Sequence, residues 1–153
     1  MAIDEIEILL AEDNPDDVEL TLHAFRQNHL ANRIQVARDG EEALDYLFAR
    51  GAYRDLAMGR RLKLVLLDLK LPKVDGLEVL RAVKSDSRMK VIPVVVLTSS
   101  REEKDLVESY HLGVNSYIQK PVDFEKFREI VKNLSLYWLL VNQPPPASTS
   151  SAR

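Results

Sequence analysis

The chain has 153 residues, enough to bury one core but too few for two ordinary domains, so we expect no separate output domain. Its net charge of −3 gives no basic excess of the kind that marks nucleic-acid binders, and no apolar run reaches the ~20 residues that span a membrane. The absence of cysteine excludes disulfides, thiolate zinc sites and cysteine nucleophiles; together with the acidic residues in the opening MAIDEIEILL, where a signal peptide is basic, it favours the cytoplasm.

Short runs rich in β-branched residues alternate with longer segments of helical spacing, a pattern typical of a parallel sheet covered by helices. The predicted strands are residues 5–11, 34–37, 63–67, 92–97 and 116–119. The predicted helices are residues 15–29, 40–49, 76–84, 101–111 and 123–141. These five strand-helix units make one α/β domain over residues 1–141, with the third and fourth strands most deeply buried.

Turn and cap residues mark the ends of these elements. They are Asp39 and Gly40 before the second helix, Gly76 after a proline-containing loop, Gly113 behind the fourth helix, and Asp123 before the fifth. Two segments fall outside the units. Residues 50–61 have weak periodicity and are predicted to form an irregular loop, and the Pro/Ser-rich residues 142–153 are predicted to be a disordered tail.

The last predicted helix is apolar on every side from Leu136 to Val141. A helix of this kind must be covered all round, either by the rest of its own chain or by a partner. Trp138 is accordingly either a core residue or an interface anchor. We expect the run to mark a partner surface, such as a homodimer contact.

Polar residues follow the predicted strands at their carboxyl ends, where ligands bind in open parallel sheets. They are Glu12 and Asp13 after the first strand, Asp68 after the third, Thr98 after the fourth and Lys120 after the fifth. Three clustered carboxylates stay ionised only beside a cation, and oxygen ligands of this kind suit Mg²⁺. The pattern predicts a metal site and phosphoryl chemistry, with Asp68 as the nucleophile and Thr98 and Lys120 as ligands of the phosphoryl oxygens.

The set Glu12-Asp13, Asp68, Thr98-Ser99 and Lys120-Pro121 resembles the signature of bacterial response-regulator receiver domains. Asp68 to Thr98 and Thr98 to Lys120 are 30 and 22 residues apart, which is similar to the spacing in that family. The loop LPKVDG after Asp68 also resembles the family's loop. The resemblance covers about residues 5–141 and implies a doubly wound, flavodoxin-like, three-layer fold with a five-stranded parallel sheet. It further implies a stand-alone switch, not a metabolic enzyme, that a histidine kinase phosphorylates on Asp68.

The resemblance also implies how a metal and a phosphoryl group are held. Mg²⁺ would be bound directly by Asp13 and Asp68, through water by Glu12, and by the backbone carbonyl of Lys70.

A switch pair is implied in the same way. Tyr117 occupies the position of the family's switch aromatic and would rotate into space that Thr98 vacates on phosphorylation. This would reshape the face formed by the fourth helix, fifth strand and fifth helix, where we expect the homodimer contact. Without the resemblance, Tyr117 is read as a partly buried strand aromatic.

The interval from Asp13 to Asp68 is longer than in most of the family, and the excess falls in residues 50–61. A similar insertion and a long apolar last helix occur in the small receivers that partner cyanobacterial and bacterial phytochromes. The resemblance therefore implies a phytochrome histidine kinase as donor, and it leaves the downstream effector protein unidentified.

Three other functions compete with this reading. A phosphohydrolase of the haloacid-dehalogenase type shares the Asp, Thr, Lys and Mg²⁺ set, but it carries Asp-x-Asp, and Asp68-Leu69-Lys70 lacks the second acid. A pseudo-receiver that binds partners without phosphorylation is disfavoured because every expected acceptor residue is present. A DNA-binding regulator would need a further domain.

Overall fold

The structure is a computed structural model, and it describes residues 8–27, 34–55, 62–99, 101–109, 111–114, 116–120 and 124–134. The strands are β1 (Ile8–Ala11), β2 (Ile34–Ala37), β3 (Leu64–Asp68), β4 (Val94–Thr98) and β5 (Ser116–Gln119). The helices are α1 (Pro15–Gln27), α2 (Gly40–Leu47), α3 (Gly76–Ser85), α4 (Arg101–Ser109) and α5 (Phe124–Leu134). A 3₁₀ turn (Gly51–Tyr53) lies between α2 and β3.

The five strands form one parallel sheet in the order β2-β1-β3-β4-β5. The chain winds first towards one edge and then, from β3 onwards, towards the other, so its helices cover both faces. Helices α1 and α5 pack together on one face, and α2, α3 and α4 line the opposite core. This confirms the predicted flavodoxin-like, three-layer arrangement and places the reversal of winding between β1 and β3.

Strands β3 and β4 are fully buried, as predicted, but β1 is buried just as completely. Every residue of β3 and β4 is buried, because both strands have neighbours on each side and helices above and below. Within β3, Val65 and Leu67 pack towards α2 and α3, whereas Leu64 and Leu66 pack towards α1 and α5. A strand that is buried on both faces therefore has a continuous run of apolar residues in its sequence.

Several element ends differ from the prediction. Strands β3 and β4 each run one residue further, so Asp68 and Thr98 lie in the sheet itself. Strand β4 begins at Val94, not at residue 92, because Pro93 has no N–H for the ladder. Helix α4 ends at Ser109, ahead of His111 and Gly113, whose φ angles of 51° and 74° cannot continue a helix.

The N-cap prediction at Asp39 is confirmed, since its Oδ1 accepts a hydrogen bond of 2.7 Å from the Glu42 amide. The Asp123 cap, the apolar run from Leu136 to Val141 and the tail 142–153 lie outside the described residues. Among the helices that the structure describes, none has the length and apolar character needed to cross a bilayer.

Part of the segment predicted as an irregular loop is ordered against the domain. The Tyr53 hydroxyl donates to Glu42 Oε2 at 2.9 Å, and its ring meets the Tyr46 ring edge-on at a centroid distance of 5.1 Å. The 3₁₀ turn is thereby fixed to α2. Residues 56–61 of the segment lie outside the described part of the chain.

The Tyr53 contact predicts a pH-dependent contribution to stability. Burial, and then the Glu42 carboxylate, raise the pKa of Tyr53 from 10.0 to about 12. The folded state therefore favours the neutral phenol, so the contribution is complete below pH 10 and is lost as the pH rises towards 12. We expect Tyr53→Phe to lower the free energy of unfolding by about 1 kcal/mol at neutral pH, and by less above pH 10. Urea unfolding of both proteins across this range measures the difference, and a constant difference would contradict the prediction.

Candidate functional site

The predicted site residues converge on the carboxyl edge of the sheet. Glu12 and Asp13 directly follow β1, Asp68 ends β3, Thr98 ends β4 and Lys120 follows β5. Glu12, Asp68 and Thr98 are buried, whereas Asp13 is exposed at the rim. The register pairs Asp68 with Leu97, so Thr98 stands one residue beyond the nucleophile candidate on the neighbouring strand.

Three carboxylates form a compact cluster that suits a cation. Glu12, Asp13 and Asp68 each offer one oxygen, and these oxygens all lie within 4.8 Å of one another. Clustered carboxylate oxygens with an open side are the donor set of a hard divalent cation, so the residues present fit such an ion. The amide of Lys70 donates to Asp68 Oδ1 at 3.1 Å, and the role of the Lys70 carbonyl as a ligand stays a prediction.

Lys120 links the cluster from the other side. Its Nζ lies 2.9 Å from Asp68 Oδ2, to which it donates a hydrogen bond, and 2.8 Å from Glu12 Oε1 in an ion pair. Burial lowers the pKa of Lys120, but the contacts with nearby carboxylates, Glu12 first, outweigh it and raise the pKa above its ordinary value. Lys120 is therefore a permanent cation beside the nucleophile candidate.

Glu12 is harder to ionise in the cluster than in water. Burial, followed by hydrogen bonding with Asp68 and the Asp68 charge, raises the pKa of Glu12 to about 7, although Lys120 acts in the opposite direction. Lys120 alone does not balance the cluster, because one positive charge faces three carboxylates. A second cation at this edge would complete the charge balance.

Asp17 was not placed in the site by the sequence analysis. The Asp17 Oδ2 lies 2.9 Å from Lys120 Nζ. Asn14 caps α1 with its Oδ1, which accepts hydrogen bonds from the amides of Asp16 and Asp17, and this sets the first turn of the helix against the site. The available signal was the position of Asp17 in the first turn of α1, which directly follows the loop at the carboxyl end of β1.

Glu103 in the first turn of α4 was also missed. One of its carboxylate oxygens accepts hydrogen bonds from the Ser99 amide at 2.9 Å and the Ser99 hydroxyl at 3.2 Å. The other lies 3.7 Å from Lys70 Nζ. Glu103 therefore ties the segment after Thr98 to the loop after Asp68. The signal in the sequence was a glutamate three residues after a candidate cap, Ser100.

The predicted switch pair borders one cavity. Thr98 and Tyr117 line a cleft of about 420 Å³ beside α4. The Tyr117 ring is partly buried against the core, and Lys104 Nζ lies 5.2 Å from the ring centre. Burial, and then the charge of Glu108, raise the pKa of Tyr117. Both members of the predicted switch pair therefore lie beside the same open space.

Comparison with known proteins places this site in a family. The response regulator receiver domain matches residues 8–132. A probable methanogenesis regulatory protein, FilR2 of Methanothrix harundinacea, is 45% identical over 145 residues, which cover 94% of this chain and 90% of the relative. The response regulator Rcp1 of Synechocystis is 38% identical over 132 residues, 86% of this chain and 88% of the relative.

Solved structures agree with these relatives. The bacteriophytochrome response regulator AtBRR is 55% identical with a TM-score of 0.71, over 90% of this chain and 98% of that one. The phosphorylated cyanobacterial phytochrome response regulator RcpA is 41% identical with a TM-score of 0.77, over 93% and 99%. The Mn²⁺-bound form of Rcp1 is 36% identical with a TM-score of 0.76, over 92% and 99%.

The fold and the site define a doubly wound α/β signalling switch with an acidic cluster and a lysine at the carboxyl edge of its sheet. The chain belongs to the response regulator receiver domain family. Its close relatives include stand-alone, phytochrome-associated response regulators, so the resemblance seen in the sequence is confirmed.

Proposed function

We propose that the protein accepts a phosphoryl group from a histidine kinase on Asp68, with Mg²⁺ at Glu12, Asp13 and Asp68. The observation that carries this proposal is the position of Asp68, which contacts Lys120 on one side and belongs to the three-carboxylate cluster on the other. The relative RcpA has been solved as a phosphorylated protein, and Rcp1 has been solved with bound Mn²⁺, which supports the same chemistry here.

In the proposed transfer, an Asp68 carboxylate oxygen forms a bond to phosphorus while the bond from phosphorus to the kinase histidine nitrogen breaks, and that nitrogen keeps the electron pair. Lys120 holds one phosphoryl oxygen, and the Thr98 hydroxyl can donate to another. Glu12, Asp13 and Asp68 would hold Mg²⁺, which would supply positive charge to the phosphoryl group. Hydrolysis of the acyl phosphate returns Asp68 to its resting state, so the protein acts as a switch and turns over no metabolite.

The cleft beside α4 supports a proposed switch output. When Thr98 turns towards the phosphoryl group, the Tyr117 ring can move into the cleft and change the face of α4, β5 and α5. We propose that this face forms the homodimer and also receives the effector protein. Trp138 and Leu139 belong to the apolar run from Leu136 to Val141, which the sequence predicts to be a partner surface. Sedimentation of the protein before and after phosphorylation measures the dimer, and monomers under both conditions at micromolar concentration would contradict it.

We also propose that the donor is a phytochrome histidine kinase, because the relatives AtBRR and RcpA are response regulators of phytochromes. Transfer from purified phytochrome kinases and from unrelated histidine kinases can be timed with labelled phosphate. Faster transfer from the phytochrome kinases supports the proposal, and transfer from unrelated kinases alone would remove it.

The phosphoacceptor assignment is tested by intact mass spectrometry after incubation with acetyl phosphate and Mg²⁺. We expect the wild type to gain one phosphoryl group, and we expect no gain with Asp68→Asn or in the presence of a chelator. Asp75→Asn, at the exposed N-cap of α3, serves as a matched control and should gain the group. If neither acetyl phosphate nor a kinase donor modifies the wild type, the phosphoacceptor proposal fails. The favoured function is then a binding module that works without phosphorylation.

A further inference from the structure

We propose that Asp17 is a positioning residue for Lys120, which keeps the ammonium group at the site when a divalent cation engages the other carboxylates. The inference deepens the proposed phosphoacceptor function of Asp68 and rests on it. It concerns a residue whose place at the start of a helix would otherwise be explained by the helix dipole alone.

Lys120 has three carboxylate partners, and they are of two kinds. Glu12 and Asp68, at 2.8 and 2.9 Å from Nζ, belong to the cluster that fits a metal ion. Asp17, at 2.9 Å, does not belong to that cluster. Among the described residues, Asp17 is therefore the ion-pair partner of Lys120 that a metal ion leaves available.

The difference between Asp17 and the carboxylates of the metal site affects where Lys120 is held when a cation binds. A divalent cation at the cluster attracts the carboxylate oxygens of Glu12 and Asp68 and repels the nearby ammonium group of Lys120. Lysine has a long, flexible side chain that readily turns towards water. With Asp17 in place, Lys120 keeps one carboxylate that favours the buried position, and so it stays within reach of a phosphoryl group on Asp68.

Hydrogen bonds hold the Asp17 backbone in the first turn of α1. Its amide donates to the Asn14 cap at 3.2 Å, and its carbonyl accepts a hydrogen bond of 2.8 Å from the Thr21 hydroxyl. Its side chain is 26% exposed, and that of Lys120 is 16% exposed, so the pair is partly shielded from solvent. The adjacent Asp16 is exposed and also lies in the first turn of α1. The helix dipole alone would therefore favour an acid equally at both positions.

The pair of neighbouring acids provides a matched experiment. Asp17→Asn and Asp16→Asn are compared in the wild-type and Lys120→Met backgrounds, with phosphorylation rates measured against acetyl phosphate concentration at saturating Mg²⁺ for each variant. We expect Asp17→Asn to lower the maximal rate ~10-fold with little change in the half-saturating concentration, and Asp16→Asn to leave both unchanged. In the Lys120→Met background, Asp17→Asn should have no further effect. A similar loss in that background, or a wild-type rate for Asp17→Asn, would overturn the inference.

A second readout needs no phosphorylation. Labelling of Lys120 with an amine-reactive reagent, followed by peptide mass spectrometry, measures its accessibility with and without Mg²⁺. We expect Lys120 of the wild type and of Asp16→Asn to be protected in both conditions, whereas Mg²⁺ should speed its labelling in Asp17→Asn. Equal labelling of Asp17→Asn with and without Mg²⁺ would overturn the inference. Asp17→Ser carries the same expectation if Asp17→Asn does not fold.

The two readouts separate this inference from the proposed function. If the wild type gains no phosphoryl group on Asp68, the proposed function fails while the labelling result still tests the role of Asp17. If the wild type is phosphorylated and labelling of Lys120 is insensitive to Asp17, only the positioning role fails.

Discussion

Replacing Lys120 with methionine is expected to lower the free energy of unfolding by about 3 kcal/mol in metal-free solution, because the change leaves three carboxylates without their shared cation. Methionine keeps most of the apolar stem, so the loss reports the charge. Part of the cost is relieved by protonation of Glu12, whose pKa is already raised to about 7 by burial and then by Asp68.

Mg²⁺ should reverse much of this loss. A ligand that binds the folded state stabilises it by about 2.7 kcal/mol at a hundredfold excess over its Kd, and in Lys120→Met the ion no longer competes with an ammonium group. Urea unfolding with increasing Mg²⁺ should therefore show a larger stabilisation for the variant than for the wild type. Lys90→Met, at an exposed position, is the control and should change stability by less than about 0.5 kcal/mol. Equal Mg²⁺ responses in the wild type and Lys120→Met would show that Lys120 does not compete for the cluster.

Gly76→Ala is expected to damage both the fold and the site. A Cβ at Gly76 would lie 2.3 Å from the Asp68 carbonyl oxygen and 2.6 Å from Leu69 Cα, and both of these are backbone atoms that cannot move as a side chain does. The start of α3 or the end of β3 must shift, so we expect a loss of about 3 kcal/mol in the free energy of unfolding. Because the displaced strand end carries Asp68, the proposed nucleophile, phosphorylation with acetyl phosphate should fall at least ~10-fold as well.

Gly113→Ala is the matched control for this change. Gly113 has a φ of 74°, and nothing lies within 4 Å of its added Cβ, so the substitution meets backbone strain without a clash. We expect a loss of about 1 kcal/mol and an unchanged phosphorylation rate. Urea unfolding and intact mass spectrometry measure both variants. Equal stability and equal phosphorylation of Gly76→Ala and Gly113→Ala would contradict the steric argument.

The fold and most of the site could be predicted from the sequence because their signals lie within short segments of the chain. A strand buried on both faces must be apolar throughout, so β3 and β4 stand out as runs of valine and leucine. In a parallel sheet all strand ends meet at one edge, so residues that follow different strands could be brought together without coordinates. The places of Asp68, Thr98 and Lys120 at that edge followed from this rule alone.

The exact ends of the strands were harder to predict from the sequence. The prediction ended β3 and β4 one residue early because it treated polar residues as the start of a loop. Asp68 and Thr98 instead continue the ladder, since the Leu69 amide bonds to the Leu97 carbonyl and the Lys120 amide to the Thr98 carbonyl. Hydrogen bonds between strands, and not side-chain polarity, decide where a strand ends.

Residues 50–61 show another limit of structure prediction from the sequence. Residues 50–61 lack periodicity, so nothing local indicated the 3₁₀ turn at Gly51–Tyr53. The turn is held by the Tyr53 hydroxyl, which donates to Glu42, and by the Tyr53 ring, which packs on Tyr46. Both partners belong to α2, which precedes the turn in the chain.

The sequence by itself determined the order of the elements, the parallel sheet and the identity of the residues at its carboxyl edge, because periodicity and strand ends are properties of short segments. Only the tertiary structure decided that Lys120 contacts Asp17 as well as Glu12 and Asp68, and that Glu103 joins Ser99 to Lys70. These contacts, like the raised pKa of Glu12, depend on distances of a few ångströms between separate elements. Such distances are set by how helices pack on the sheet, which no short segment encodes alone.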